Sequence, residues 1–144
     1  MVFSHDGLHD SLTALAAPPY FYESLKREFS IASRNKTSIS AINMRLTSFL
    51  PVFEHGIVTF SHIARKEFRL EDHLSRMSHS VFIALIQTDE EIAIQIIQRL
   101  ISRWTLEGTP DVNILFAICQ RKDDESPLDF LSRLDETKLQ SFEF

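Results

Sequence analysis

Arg69 and Asp72 stand three residues apart in the run Arg69-Leu70-Glu71-Asp72, and together they could read the edge of a guanine base. An arginine guanidinium presents a planar fork of donors that matches guanine O6 and N7. An ionised aspartate is acceptor-only, so it can take the N1–H and N2–H₂ donors. The spacing sets both groups on one side of a tight turn. The pattern alone carries little weight, because Arg121-Lys122-Asp123-Asp124 repeats it in an acidic loop. An isolated Arg–Asp pair is ordinarily a solvated surface pair worth about 0–1 kcal/mol.

Other reactive residue types offer less. His55 and His62 are seven apart on one helical stripe, but no Cys or carboxylate completes a tetrahedral set with them, so no metal and no cofactor is expected. His73 and His79 flank a turn and are expected at the surface. Ser78-His79-Ser80 contains a Ser–His pair, yet neighbouring strand residues point to opposite faces, which argues against a nucleophile–base couple. Cys119 lies in an apolar run and is expected to be buried packing.

These residues must be positioned by elements that the hydrophobic pattern marks out. Pro18-Pro19 lead into a helix over 20–33 carrying Phe21, Leu25, Phe29 and Ala32 at helical spacing. Asn35-Lys36-Thr37-Ser38 is a turn before a core strand from Ile39 through Met44. Pro51 breaks the chain, and Ile57, Phe60, Ala64 and Phe68 form the stripe of a second helix. Two strands follow, 73–77 and 81–86, joined by a tight turn. Thr88 is expected to cap a third helix bearing Ile92, Ile96, Ile97, Leu100 and Trp104, with Asp89, Glu90 and Glu91 at its positive end. Gly108-Thr109-Pro110 ends it. A strand over 112–118 and a last helix, opened by Ser126-Pro127 and carrying Leu128, Leu131, Leu134 and Leu139, complete the chain. Alternating helices and strands predict an α/β (α+β) sandwich around a central, mainly antiparallel sheet.

The chain has 144 residues, 44% of them hydrophobic and 24% charged, which suits one soluble domain with a real core. We read 1–144 as that domain, with 1–9 as lead-in and 141–144 as a tail in which Phe142-Glu143-Phe144 ends the chain. A net charge of -5 argues against non-specific binding to a nucleic-acid polymer. One cysteine excludes an internal disulfide framework and fits a reducing compartment. No apolar run reaches the roughly 20 residues that span a bilayer, and the N-terminus lacks a signal-peptide pattern, so the cytoplasm is the expected location. The sequence is compatible with a stand-alone protein or a piece of a longer one.

Several segments, in order, resemble the GGDEF (diguanylate cyclase) domain, and the resemblance covers nearly the whole chain. Asp10-Ser11-Leu12-Thr13-Ala14-Leu15 is similar to the family's D-x-L-T-G-L opening, and Tyr20-Phe21-Tyr22-Glu23-Ser24-Leu25 continues it. Arg69 and Asp72 hold the family's RxxD offset, five residues ahead of the signature turn, and Phe82 closes that turn. Val112-Asn113-Ile114-Leu115-Phe116-Ala117 and Pro127-Leu128-Asp129-Phe130-Leu131 resemble the late strand and the start of the final helix.

The resemblance implies a cyclase that condenses two GTP molecules with metal-held phosphates, but this chain departs from the pattern where that chemistry resides. The signature reads Ser78-His79-Ser80-Val81-Phe82. The first metal Asp aligns with Arg45, a cation that would repel a divalent metal. The second acidic ligand aligns with Ser80, which carries no charge to offset it. Ser78 and His79 put side chains where two glycines let backbone and phosphate approach. Much of the loop that reads the substrate guanine, between Phe49 and Asp72, is absent. The expectation is a degenerate domain that is not an enzyme.

The RxxD motif is the family's inhibitory site, which binds cyclic di-GMP, a bacterial second messenger. The resemblance adds a third residue, an arginine on the following helix that stacks on a base or meets a phosphate; Arg99 aligns with it. Arg103, one turn further, and Arg76 are possible additional contacts. The expected function is therefore a cyclic di-GMP receptor using Arg69, Asp72 and Arg99. Its ligand, often a stacked dimer in this family, could bridge two copies, and its output would go to a partner protein or adjacent domain. The alternative is a structural, dimerising or scaffolding module that binds no ligand.

Overall fold

The computed structural model describes residues 3–49 and 54–141 of the chain. Its elements run α1 (Pro18–Asn35), β1 (Ser40–Thr47), α2 (Glu54–Glu67), β2 (His73–Ser78), β3 (Val81–Ile86), α3 (Glu90–Glu107), β4 (Asn113–Gln120) and α4 (Pro127–Glu136). The strands form one sheet in the order β2-β3-β1-β4, every neighbouring pair antiparallel. The expected sandwich around an antiparallel sheet is the architecture observed.

Strand periodicity divides the core into two layers. Ile42, Met44 and Leu46 of β1, with Phe82, Ala84 and Ile86 of β3, face α2 and α3. Ile83 and Leu85 of β3 join Ala41 on the other face, against Phe21, Leu25 and Phe29 of α1 and Phe130 and Leu134 of α4. Because both faces of β1 and β3 are covered, these strands read as near-continuous apolar runs rather than alternating ones. The sheet's outer strands are partly covered as well. Ala16 bridges Ser75 on β2, and Gln140 exchanges two backbone hydrogen bonds of 2.9 Å with Phe116 on β4.

Local chemistry sets the helix ends. Pro18 occupies the first turn of α1, and Lys36 closes it in the left-handed region at φ 54°. Asp89, not Thr88, caps α3: its carboxylate accepts the Ile92 N–H at 3.0 Å, while the Thr88 carbonyl accepts the Ser40 hydroxyl. Ser126 caps α4 by accepting the Asp129 N–H at 3.1 Å, and Pro127 follows it at the first helical position. That helix stops at Glu136, because Thr137 turns extended at ψ 126°; Leu139 therefore lies beyond the helix on which it was expected. Of the remaining elements, β3 has the expected bounds, α1 is two residues longer at each end, and β1, β2 and β4 run one to three residues further at their C-terminal ends. Pro51 and Phe142–Phe144 lie outside the described residues.

Among the described residues, no helix is long and apolar enough to cross a membrane.

Candidate ligand-binding site

Phe68 ends the α2 stripe in the core, and the chain then reverses through Arg69-Leu70-Glu71 into β2. Asp72 closes this turn from both directions. Its Oδ2 accepts the Arg69 backbone N–H at 2.8 Å, and its own N–H donates to the Arg69 carbonyl at 3.1 Å. The Arg69 side chain consequently stands free of the turn, 79% exposed, with Glu71 at 3.9 Å as a loosely held partner. Asp72 is partly buried. Burial pushes its carboxyl above the ordinary value, and the Arg69 N–H offsets part of that rise.

Arg69 and Asp72 form one wall of a cleft of about 400 Å³. The opposite wall is the start of α3, where Ile92, Gln95 and Arg99 share a face at helical spacing. Gln87 and Thr88, at the end of β3, complete it. Arg69, Asp72 and Arg99 thus line a single cleft, although Arg99 lies 27 positions after Asp72 in the chain. Behind it, Gln87 donates to Glu28 of α1, and His73 Nε2 meets the same carboxylate at 3.3 Å. His73, expected at the surface, is partly buried, with this buried carboxylate as its ring's partner.

Arg99 and the two possible additional contacts, Arg103 and Arg76, divide. Arg99 meets Glu67 through Nε at 3.3 Å and remains 56% exposed. Arg103, one turn on, does not line this cleft. Its Nε donates to Glu67 at 2.8 Å and its Nη1 to Glu107 at 3.4 Å, and these carboxylates raise its pKa. It borders an adjoining groove with Gln98, Ser102 and Leu106. Arg76, a possible ligand contact on sequence grounds, is 1% exposed. Its Nη1 donates to both Asp10 oxygens at 2.9 and 3.1 Å, and its Nη2 to the His79 carbonyl at 2.9 Å. Burial and three protein acceptors remove it from any ligand surface.

The second RxxD match is structural. The Arg121 guanidinium lies 4.5 Å over the Phe29 ring, and its donors go to the Glu125 carbonyl and the Ser33 hydroxyl. A larger groove, about 720 Å³ between α1 and the loop before α4, borders this residue.

At the opposite end of β1, the positions expected to have lost catalytic chemistry come together. Arg45 is exposed and pairs with Val81, next to Ser80. The Ser80 carbonyl accepts the Leu46 N–H at 2.9 Å, and a bulge between Arg76 and Ser78 shapes the turn. His55 and His62 are both exposed on α2, and no cluster of three or more potential metal ligands occurs among the described residues.

Sequence reasoning missed Glu67, Gln87 and Gln95. Gln95 was legible, four residues before Arg99 on the same helix face. Glu67 and Gln87 act through long-range pairings, with Arg99 and Glu28, that no local pattern announces.

No protein-family model matches the chain, and no curated protein matches it. Solved structures share its fold. The GGDEF domain of DgcB from Caulobacter crescentus, in complex with c-di-GMP, is 15% identical with a TM-score of 0.81, covering 94% of this chain and 87% of that one. The FimX GGDEF domain from Pseudomonas aeruginosa is 16% identical, with a TM-score of 0.77 and 88% of each chain covered. The diguanylate cyclase SiaD of the same organism, in complex with its activator SiaC, is 19% identical with a TM-score of 0.79; 88% of this chain and 55% of SiaD are covered. The chain therefore has the fold of GGDEF domains.

Proposed function

We propose that this chain is a non-catalytic cyclic di-GMP receptor acting in the cytoplasm. The observation that carries the reading is the shared cleft of Arg69, Asp72 and Arg99. The exposed Arg69 fork donates to guanine O6 and N7, while Asp72 accepts N1–H and N2–H₂. Asp72 Oδ2 already holds the turn, so the carboxylate is oriented before a ligand arrives. Arg99 supplies a charge-assisted contact to phosphate, or stacks on a base. The complex of the DgcB domain with c-di-GMP supports the choice of ligand.

Loss of catalysis is the second half of the reading. Arg45 and the Ser78-His79-Ser80 turn supply a cation and hydroxyls where metal-held phosphates call for carboxylates. No metal or cofactor is needed for the proposed role. Binding changes the contact made with a partner protein, a neighbouring domain or a second copy bridged by ligand, because a ligand shifts an equilibrium only through differential affinity.

Calorimetric titration with cyclic di-GMP tests the proposal. Wild type is expected to bind, and Arg69→Ala and Asp72→Ala each to weaken binding at least about tenfold. Equal binding by all three proteins would move the site elsewhere. Absence of heat from wild type, with a concentration-dependent mass in solution, would favour a scaffolding module instead.

A further inference from the structure

Glu67 is the last residue of α2, two positions before Arg69, and it lines both the candidate cleft and the groove beside it. Its side chain is only 9% exposed. Its two oxygens are divided between two arginines of α3: Oε2 takes the Arg99 Nε–H at 3.3 Å, and Oε1 takes the Arg103 Nε–H at 2.8 Å. The arginines nevertheless end in different states. Arg103 spends Nη1 on Glu107, whereas the Arg99 contact uses Nε alone. An acceptor at Nε restrains the flexible stem and leaves the two Nη groups, four N–H donors, for an incoming anion.

We propose that Glu67 is a positioning residue that presents the Arg99 fork to the ligand. This rests on the receptor reading and deepens it. An unrestrained arginine loses rotamer freedom on being fixed, and a partner that fixes it beforehand lowers that cost of binding. Glu67 also joins the end of α2, which carries the Arg69 turn, to α3, which carries Arg99. It therefore sets the spacing between the guanine-reading wall and the phosphate-reading wall. A carboxylate in an anion site could instead compete with the phosphate, and the two roles predict opposite signs.

Calorimetry with cyclic di-GMP on wild type, Glu67→Ala, Arg99→Ala, the double variant and Arg103→Ala separates them. Glu67→Ala is expected to weaken binding about fivefold or more, and Arg103→Ala to change it less than about twofold. The double variant is expected to bind no worse than Arg99→Ala alone, since Glu67 acts through Arg99. If Glu67→Ala does not fold, the near-isosteric Glu67→Gln carries the same test, with weakened binding again expected. Binding by the Glu67 variants that equals or exceeds wild type, or penalties that simply multiply in the double variant, would overturn the assignment while leaving the receptor reading intact. A wild type that binds nothing would overturn both.

Discussion

Arg76 and Asp10, 66 residues apart, form a buried ion pair at 2.9 Å that fastens the N-terminal segment to the β2–β3 hairpin. Asp10 also accepts the Thr13 N–H and hydroxyl at 2.8 and 2.7 Å, so its carboxylate is saturated with donors. The Phe3 ring covers the guanidinium at 4.9 Å. Removing one partner leaves a charge buried without compensation, a cost of about 3–5 kcal/mol. Asp10→Ala is therefore expected to destabilise by that order in urea unfolding. A smaller penalty is expected for the double change Asp10→Ala, Arg76→Met, which removes both charges. Equal destabilisation by the two would contradict this account.

Gly108 stops α3 against Trp104. A Cβ placed on it would meet Trp104 Cδ2 and the Trp104 carbonyl oxygen at 2.4 Å. The indole cannot yield freely, because its N–H donates to the Val112 carbonyl at 2.9 Å and its ring packs edge-on against Phe60. Gly108→Ala is expected to cost about 1–3 kcal/mol, the range for forcing extra volume into a packed site. Unfolding free energies that agree within 0.5 kcal/mol, at the level of ordinary surface changes, would show that the helix end relaxes without cost.

Asp72 links ligand affinity to pH. Burial holds its pKa above the ordinary 3.8, so in the folded state the charged form is disfavoured. The sign for stability follows: this contribution is fully present below the unfolded value and is lost as pH rises through the higher folded value. Guanine donors require the ionised carboxylate, so cyclic di-GMP binding is expected to weaken as pH falls through the Asp72 range, beginning above the range of an exposed aspartate. Asp72→Asn is expected to bind weakly with no such dependence. A wild-type affinity that is flat down to the ordinary aspartate range would contradict the role given to Asp72.

With GTP and Mg²⁺, the purified chain is expected to form no cyclic di-GMP. Arg45 pairs with Val81 beside the Ser78-His79-Ser80 turn, and the proposed loss of catalysis puts this cation where a metal ligand would be needed. Product accumulating beyond the protein's own concentration would show turnover and contradict the non-catalytic reading.

The helix stripes were legible because burial on one face imposes a period that a single sequence displays, and the doubly buried strands because burial on both faces gives a continuous apolar run. The run 81–86 read as a buried strand, and the structure divides it, with Ile83 and Leu85 in one layer and Phe82 and Ala84 in the other. Individual partners were not legible. Thr88 and Asp89 are both good caps, and only the Asp89 bond to Ile92 distinguishes them. Arg76 looks like a surface cation until Asp10 arrives from the far end of the chain. At the candidate site, the offset of Arg69 and Asp72 was visible as spacing, but their sharing of a cleft with Arg99 depends on how α3 packs beside the α2–β2 turn.

The central claim is that this cleft reads a guanine edge, and competing titrations with cyclic di-GMP and cyclic di-AMP test it most directly. Adenine turns an amino donor toward the Arg69 fork and an N1 acceptor toward Asp72, a mismatch at both contacts. The account predicts that cyclic di-GMP binds at least about a hundredfold more tightly, and that Arg69→Ala and Asp72→Ala each erase part of the difference. Equal affinity for the two ligands, or a preference left undiminished by both Arg69→Ala and Asp72→Ala, would contradict it.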